Sequence, residues 1–405
     1  MPLPQAGLIT EPEDLRTGSS VWADGQGRDR PLRSSMKADV VVVGAGVTGA
    51  FVAHALAKHG HVIVVDRRSP AAGSTSASTA MLQWEIDTPL VELGDKIGVQ
   101  NARRAWIRSF RATQDLARLV HQENIRCHLE DRNSLYLAGN EAGRIKLAQE
   151  AGARRAAGLP SEYIGGADLR DRFGIVRTGA IVSTKSSVVD PVALTRGLFA
   201  RAQARGVRLF FPVDITNVLA TGHGVILDTG NRFIEARYCV FCTGYEFLKA
   251  VPHHDIAITS TWAIATRTNT PYPDWMDRFV VWEASQPYLY MRTTHDRRLV
   301  IGGEDESVNL AAHRTRSLPR KAKRLEQKAA RLLNQRVSAS RKWTGAFGES
   351  SDGLPVIDAV PDLPNCFVAM GLGGNGTIYS MIAGQIIPTL LAGKPDKDAK
   401  LYRFR

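Results

Sequence analysis

Residues 38–66 read ADVVVVGAGVTGAFVAHALAKHGHVIVVD. Val40–Val43 form a continuous β-branched run, the pattern of a strand buried on both faces. Gly44, Gly46 and Gly49 then make a GxGxxG turn, an apolar helix extends to about His59, and a second strand, Val62–Val65, ends at Asp66. Each position has a physical task. Gly44 permits the tight turn, Gly46 lets backbone approach a pyrophosphate, and Gly49 lets the helix lie close to the sheet. Amides at the helix start, around Val47 and Thr48, face the phosphates along the helix dipole. Asp66, 22 residues after Gly44, is placed to accept hydrogen bonds from ribose hydroxyls. The stretch predicts a Rossmann-like βαβ unit that binds a dinucleotide.

Working outward, 405 residues with 44% hydrophobic and 23% charged side chains suit a soluble chain of two domains or one large interleaved unit. Cys239 and Cys242 have CxxC spacing but lie in an apolar run, RYCVFCTG, with no second pair nearby; they read as buried strand cysteines, and no metal site is expected. Two windows are apolar enough to resemble membrane spans. The first, 40–57, belongs to the dinucleotide unit, and the second, 365–393, is broken by Gly371, Gly373, Gly374 and Gly376. No basic-then-apolar leader opens the chain, so a cytoplasmic location is expected.

The net charge of +12 is unevenly placed: from Arg314 to Arg336 there are nine Lys/Arg and one glutamate, a local net of +8. Leu318, Leu325, Leu332 and Leu333 recur there at helical spacing, which predicts an amphipathic helix with a basic outer face. Such a face is either simply solvated or meets an anionic partner (lipid, RNA or another subunit), the lipid case making the protein peripheral at a membrane. No aromatic interleaving accompanies it, so no specific nucleic acid is expected.

Residues 1–36 read as a polar arm. The segment 67–83, RRSPAAGSTSASTAMLQ, offers Arg67, Ser74, Thr75, Ser78, Thr79, Met81 and Leu82 to a bound cofactor, with hydroxyls and amides as donors. One or two helices follow over 89–121. Asp190 and Pro191 start a helix that ends at Gly206, and strands are expected at 207–211, 225–228 and 239–242, the last closing on Thr243 and Gly244. Residues 256–303 alternate as an antiparallel sheet does, and 343–393 returns to strand, glycine turn and helix. A βα pattern bracketing a β-rich block predicts discontinuous units. After the arm at 1–36, the dinucleotide-binding parts are expected at 37–115, 185–250 and 341–405, and the substrate-binding parts at 116–184 and 251–340.

The order of these motifs resembles the FAD-dependent oxidoreductases of the D-amino-acid oxidase, glycine oxidase and sarcosine oxidase (DAO) family. The resemblance rests on GAGVTG with Asp66, on SSVVDPVALTRGLFARAQARGVRLFFPVDITNV, on VFCTGYE and on SSDGLPVIDAVPDLPNCFVAMGLGGNGTIYSMIAGQII, which together cover residues 37–393 in order. It implies an α/β fold, a Rossmann-like FAD-binding domain interleaved with an α+β substrate domain on a mostly antiparallel sheet. It implies FAD as cofactor, an adenine-contacting backbone at about Val213, and a helix start at Gly371, Gly373, Gly374, Asn375, Gly376 and Thr377 facing the flavin pyrimidine edge. No histidine or cysteine stands at the family's covalent attachment positions, so non-covalent FAD is implied.

The departures bear on the substrate. Phe347 stands where glycine- and D-amino-acid-type enzymes carry an arginine for the substrate carboxylate. Asn375 and Ile378 stand where sarcosine oxidases carry a histidine and a lysine. The implied reaction is hydride transfer from the carbon next to an amine to flavin, giving an imine that hydrolyses; it asks the protein mainly to orient and desolvate. Candidate catalytic-pocket residues are Trp262, Tyr288, Tyr290, Arg292, Phe347 and Asn375. Arg292 is either a substrate anchor or an ion-pair partner of Glu304 or Asp305. The acceptor is oxygen, a quinone or a protein. Alternatives are a 2-hydroxy-acid or polyol dehydrogenase, with His253, His254 or His295 as base, and a flavin-binding, RNA- or anion-associated protein with little turnover.

Overall fold

The computed structural model describes residues 9–10, 13–22, 28–251, 253, 255–308 and 310–405. At its centre Val40–Val43 run parallel to Val62–Val65 on one side and to Tyr238–Phe241 on the other. The sheet continues outward in parallel to Cys366–Met370 and to Arg208–Phe210, with Val356–Ala359 antiparallel at one edge. The pleat sends Val40, Val42, Val62 and Val64 to a layer of helices, while Val41, Val43, Ile63 and Val65 face the opposite layer with Val213, Ile215 and Val225. The helix layer contains Val47–Leu56 and Gly376–Leu391, which cross so closely that a Cβ on Gly384 would sit 3.2 Å from the Phe51 carbonyl. Asp190 caps the helix Pro191–Gln203 as expected, accepting from the Val192 and Ala193 amides at 2.9 Å.

Among the described residues the second sheet runs Arg16–Gly18, Arg341–Ser350, Ile256–Ala265, Leu299–Glu306, Leu289–Thr293, Phe279–Glu283, Glu130–Leu137, Gly179–Val188, Met81–Leu82. Its pairs are antiparallel except Phe279–Glu283 with Glu130–Leu137. Two segments sit elsewhere than the sequence suggests. Strand Arg341–Ser350 belongs to this sheet, so the chain rejoins the parallel sheet only at Val356. Arm strand Arg16–Gly18 pairs with Trp343–Gly345, and Trp22 is buried, so this part of the arm is built into the fold.

The basic segment is a helix, Ala311–Leu333, whose Ala322, Leu325, Ala329, Leu332 and Leu333 pack on Trp262, Ile264, Leu289 and Ile301. Its charges are not all on an outer face. Arg314 and Lys321 are buried, and Lys321, Arg324 and Lys328 converge on the buried Glu304, with nitrogen–oxygen distances of 3.5, 3.4 and 2.7 Å. Part of the positive run is therefore neutralised within the fold. No helix among the described residues is long and apolar enough to cross a membrane. Cys127, Cys239, Cys242 and Cys366 are all free and buried.

Candidate active site

One cavity of about 1020 Å³ runs between the two sheets, at the upper end of ligand-pocket sizes and roomy enough for a dinucleotide and a small substrate. At one end is the glycine turn. Gly44 has φ +115° and a Cβ there would lie 2.2 Å from the Cys242 carbonyl; one on Gly49 would lie 1.9 Å from the Gly44 carbonyl. Both strand–helix contacts thus demand glycine. Beside Gly46 a Cβ would meet only Thr75 Oγ1, at 3.3 Å, so its backbone is open to an approaching ligand. The helix Val47–Leu56 starts at Gly46 without an N-cap side chain or a first-turn acid; its Val47 amide donates to Thr75 Oγ1 at 3.1 Å, and the amides of Thr48 and Gly49 with the helix dipole remain for phosphate.

Asp66 ends its strand as expected and lines the cavity. Its Oδ2 accepts from the Ala45 amide at 2.6 Å and its Oδ1 from the Arg68 amide at 2.7 Å, so it also braces the glycine turn. Burial raises its carboxyl pKa, and these amide bonds oppose the rise. Val47, Thr48, Ser74, Thr75, Ser78, Thr79, Met81, Val213, Thr243 and Gly244 line the cavity with it. Arg67 lines it too, held by Asp214 at 3.0 Å and by Thr10 of the arm at 2.5 Å. Gly49, Leu82 and Gly371 do not reach the lining: Gly49 serves helix packing, Leu82 is core, and a Cβ on Gly371 would come within 2.9 Å of Ile256.

At the other end Gly373, Gly374, Asn375, Gly376 and Thr377 line the cavity as the start of helix Gly376–Leu391, again without a side-chain cap. Asn375 Nδ2 donates to the Glu85 carbonyl at 2.5 Å, tying this turn to the opposite wall. Phe347, Tyr288 and Tyr290 also face the cavity. Phe347 and Glu349 share a face of strand Arg341–Ser350, and Tyr290 lies over Gly302, where a Cβ would meet its ring at 2.3 Å.

Two expected pocket residues lie elsewhere. Trp262 is fully buried on the opposite face of its strand from Thr261; its indole donates to the Arg314 carbonyl at 3.1 Å and Lys321 sits over its ring. Arg292 neither anchors a substrate nor pairs with Glu304 or Asp305. It is buried, donating to the carbonyls of Thr79, Val189 and Thr293 at 2.8, 2.7 and 3.2 Å and stacking on Trp22; burial, with Arg132 nearby, lowers its pKa to about 9. Neither His253, stacked on Phe247, nor His295, stacked on His128 at 3.5 Å, lines the cavity, and His254 lies outside the described residues.

Three carboxyls at the start of helix Gly376–Leu391 are not signalled as site residues by the sequence. Asp87 accepts from the Gly374 amide at 3.2 Å, Glu349 flanks Gly373, and Asp305 stands near Thr261 and Tyr290. Burial raises all three pKa values. Glu349 is raised further by the charges of Asp87 and Asp305, and Asp305 reaches about 7 although Thr261 opposes the shift. Asp305 owes its direction to a β-bulge: Ser260 faces Glu306 and Trp262 faces Gly303, so Glu304 and Asp305 together stand opposite the single residue Thr261. Glu304, at φ +62°, turns to the basic helix, and the next side chain is delivered to the cavity. For Glu349 the period of two from Phe347 is a usable signal; Asp87 and Asp305 have none in local sequence.

Set against known proteins, the chain matches the family model "FAD dependent oxidoreductase" (DAO) over residues 39–388. It is 22% identical over 384 residues to glycine oxidase of Geobacillus kaustophilus, covering 88% of this chain and 93% of that one. It is 25% identical over 411 residues to D-amino acid dehydrogenase of Paramagnetospirillum magneticum, covering 88% and 95%. The crystal structure of the Geobacillus kaustophilus glycine oxidase superposes with a TM-score of 0.75 at 20% identity, covering 91% of this chain and 99% of that chain.

Proposed function

Because the chain belongs to the DAO family of FAD-dependent oxidoreductases, with FAD as its cofactor, we propose that it oxidises a small amine at the carbon next to nitrogen. The observation that carries this reading is the cavity itself. It joins a helix start fit for a pyrophosphate to a second helix start bordered by Tyr288, Tyr290 and Phe347, with carboxyls within reach of a cationic nitrogen. Gly44, Gly46 and the amides of Thr48 and Gly49 would hold the pyrophosphate, and Asp66 the adenosine ribose through lone pairs not used by Ala45 and Arg68. The starting turn of Gly376–Leu391 would face the flavin pyrimidine edge, where its dipole favours negative charge. Non-covalent retention fits this mode of holding.

When bound, FAD supplies a two-electron acceptor for the hydrogen and electron pair of the α-C–H bond. The chain's own part is to desolvate the amine and fix that bond. Tyr288 and Tyr290, with ring centroids 5.2 Å apart, and Phe347 form a wall that excludes water from the reacting carbon. Ionised Asp305 can take the proton that the ammonium must lose to become a donor, since burial brings its pKa up to about 7. The imine released reacts with water to give a carbonyl compound and an amine. Turnover with an artificial electron acceptor should release aldehyde or ketone from a pool of amines; release of oxo acids from hydroxy acids alone would overturn the reading.

A further inference from the structure

The protein carries +12 overall, yet its main cavity is acidic: twelve Asp and Glu line it against four Lys and Arg. Of those four, Arg67 and Arg68 are bound to Asp214 and Glu246 near the glycine turn, Lys96 to Glu92, and Lys146 to the Glu141 carbonyl. None of these acids is one of the three at the start of helix Gly376–Leu391. Among the described residues Asp87, Asp305 and Glu349 have no ion-pair partner, and Asp305 Oδ1 is shut off from solvent with no hydrogen-bond partner. A Cβ on Gly373 would lie 3.7 Å from Glu349 Cγ and 4.0 Å from Asp87 Oδ2, so these two carboxyls flank one point of the cavity. Asp87 is open to the cavity though deep within the molecule.

Lys321 acts on Asp305 from a distance but is itself held by Glu304 and Glu306, and carboxyls gathered with no cation in contact incur a desolvation and repulsion cost that a cationic ligand removes. The neighbouring walls are aromatic: Tyr288 and Tyr290 on one side, and Trp282 stacked on Tyr136 at 3.9 Å on another. Ring faces and carboxylates together favour an alkylammonium, while a substrate carboxylate would meet like charge and, with Arg292 engaged elsewhere, no counter-ion here.

Resting on the amine-oxidation reading, we propose that this cavity selects an amine that has no carboxylate and carries a second cationic centre, a diamine or polyamine, with Asp87 and Glu349 holding the distal ammonium and Asp305 left to the reacting nitrogen. The chemistry is unchanged: hydride leaves the carbon beside one nitrogen with FAD as its acceptor, water converts the imine to an aldehyde and releases that nitrogen as ammonia or an amine, and the second ammonium remains in the product.

The test uses FAD-loaded protein, 1,4-diaminobutane, butylamine and 4-aminobutyrate. Binding is read from perturbation of the oxidised-flavin spectrum and turnover from its anaerobic bleaching. The diamine should bind at least about tenfold more tightly than butylamine and weaken with salt, and 4-aminobutyrate should bind worst. Glu349→Gln and Asp87→Asn, checked for retained FAD, should weaken the diamine by about tenfold more than butylamine. Tight, salt-sensitive diamine binding supports the pocket even without bleaching, in which case amine oxidation is the part that fails. Preferential binding of 4-aminobutyrate, or equal losses for both amines in the variants, overturns the pocket whatever the turnover.

Discussion

Glu304 occupies a backbone conformation, φ +62°, that ordinarily belongs to glycine, and it is held there by Lys328, Arg324 and Lys321. Burial alone would raise its carboxyl, but the three cations outweigh burial and hold it below the usual range. Glu304→Ala removes the buried anion and keeps the strained conformation. Breaking a buried ion pair costs about 3–5 kcal/mol, and Glu306, 2.7 Å from Lys321, recovers part of that, so about 2–4 kcal/mol of destabilisation is expected. Glu304→Gly loses the same ion pairs but relieves a left-handed residue of about 1 kcal/mol. The glycine variant should therefore be more stable than the alanine variant by about 1 kcal/mol, the reverse of their usual order in a strand. Urea unfolding of the FAD-loaded proteins measures the difference. An alanine variant as stable as the glycine variant refutes the left-handed bulge, and losses below about 0.5 kcal/mol in both refute the ion-pair cluster.

Gly49→Ala should abolish FAD retention with the chain still folded, because its Cβ would fall 1.9 Å from the Gly44 carbonyl and must push the helix off the phosphate site; normal flavin content would contradict this. Asp66→Ala releases the Ala45 and Arg68 amides as well as the ribose, so FAD affinity should fall by about tenfold or more in equilibrium dialysis. For Asp305, a folded-state pKa near 7 means its contribution to stability is fully present below pH 4 and is lost as pH rises to about 7. Asp305→Asn should then stabilise the protein by about 1–3 kcal/mol at pH 8, after allowance for water in the cavity, and by almost nothing at pH 4. Equal gains at both pH values would remove the basis for that shift.

The dinucleotide unit was legible because its parts are consecutive: strand, turn, helix, strand and acid follow one another, and each is set by neighbours in sequence. The family order and the cofactor followed from the same local motifs. The substrate end was harder, since it is assembled from distant segments. Trp262 drew attention by size, but its place opposite Gly303 turns it toward the basic helix and leaves Thr261 to the cavity. Arg292 reads as an anchor until the carbonyls of Thr79 and Val189, remote in sequence, take up its donors. Asp305 depends on a bulge that shifts the register by one residue, and Asp87 on a loop brought to Gly374 from 287 residues away. Helical spacing revealed the basic segment but not that Glu304 would bind three of its cations.

The most direct test of the account is anaerobic mixing of the FAD-loaded protein with amines on one side and 2-hydroxy acids on the other, with the oxidised-flavin absorbance followed in time. The expected result is bleaching by amines, slowed when the α-carbon bears deuterium, and none by hydroxy acids. Bleaching by hydroxy acids alone, or by no amine, contradicts it.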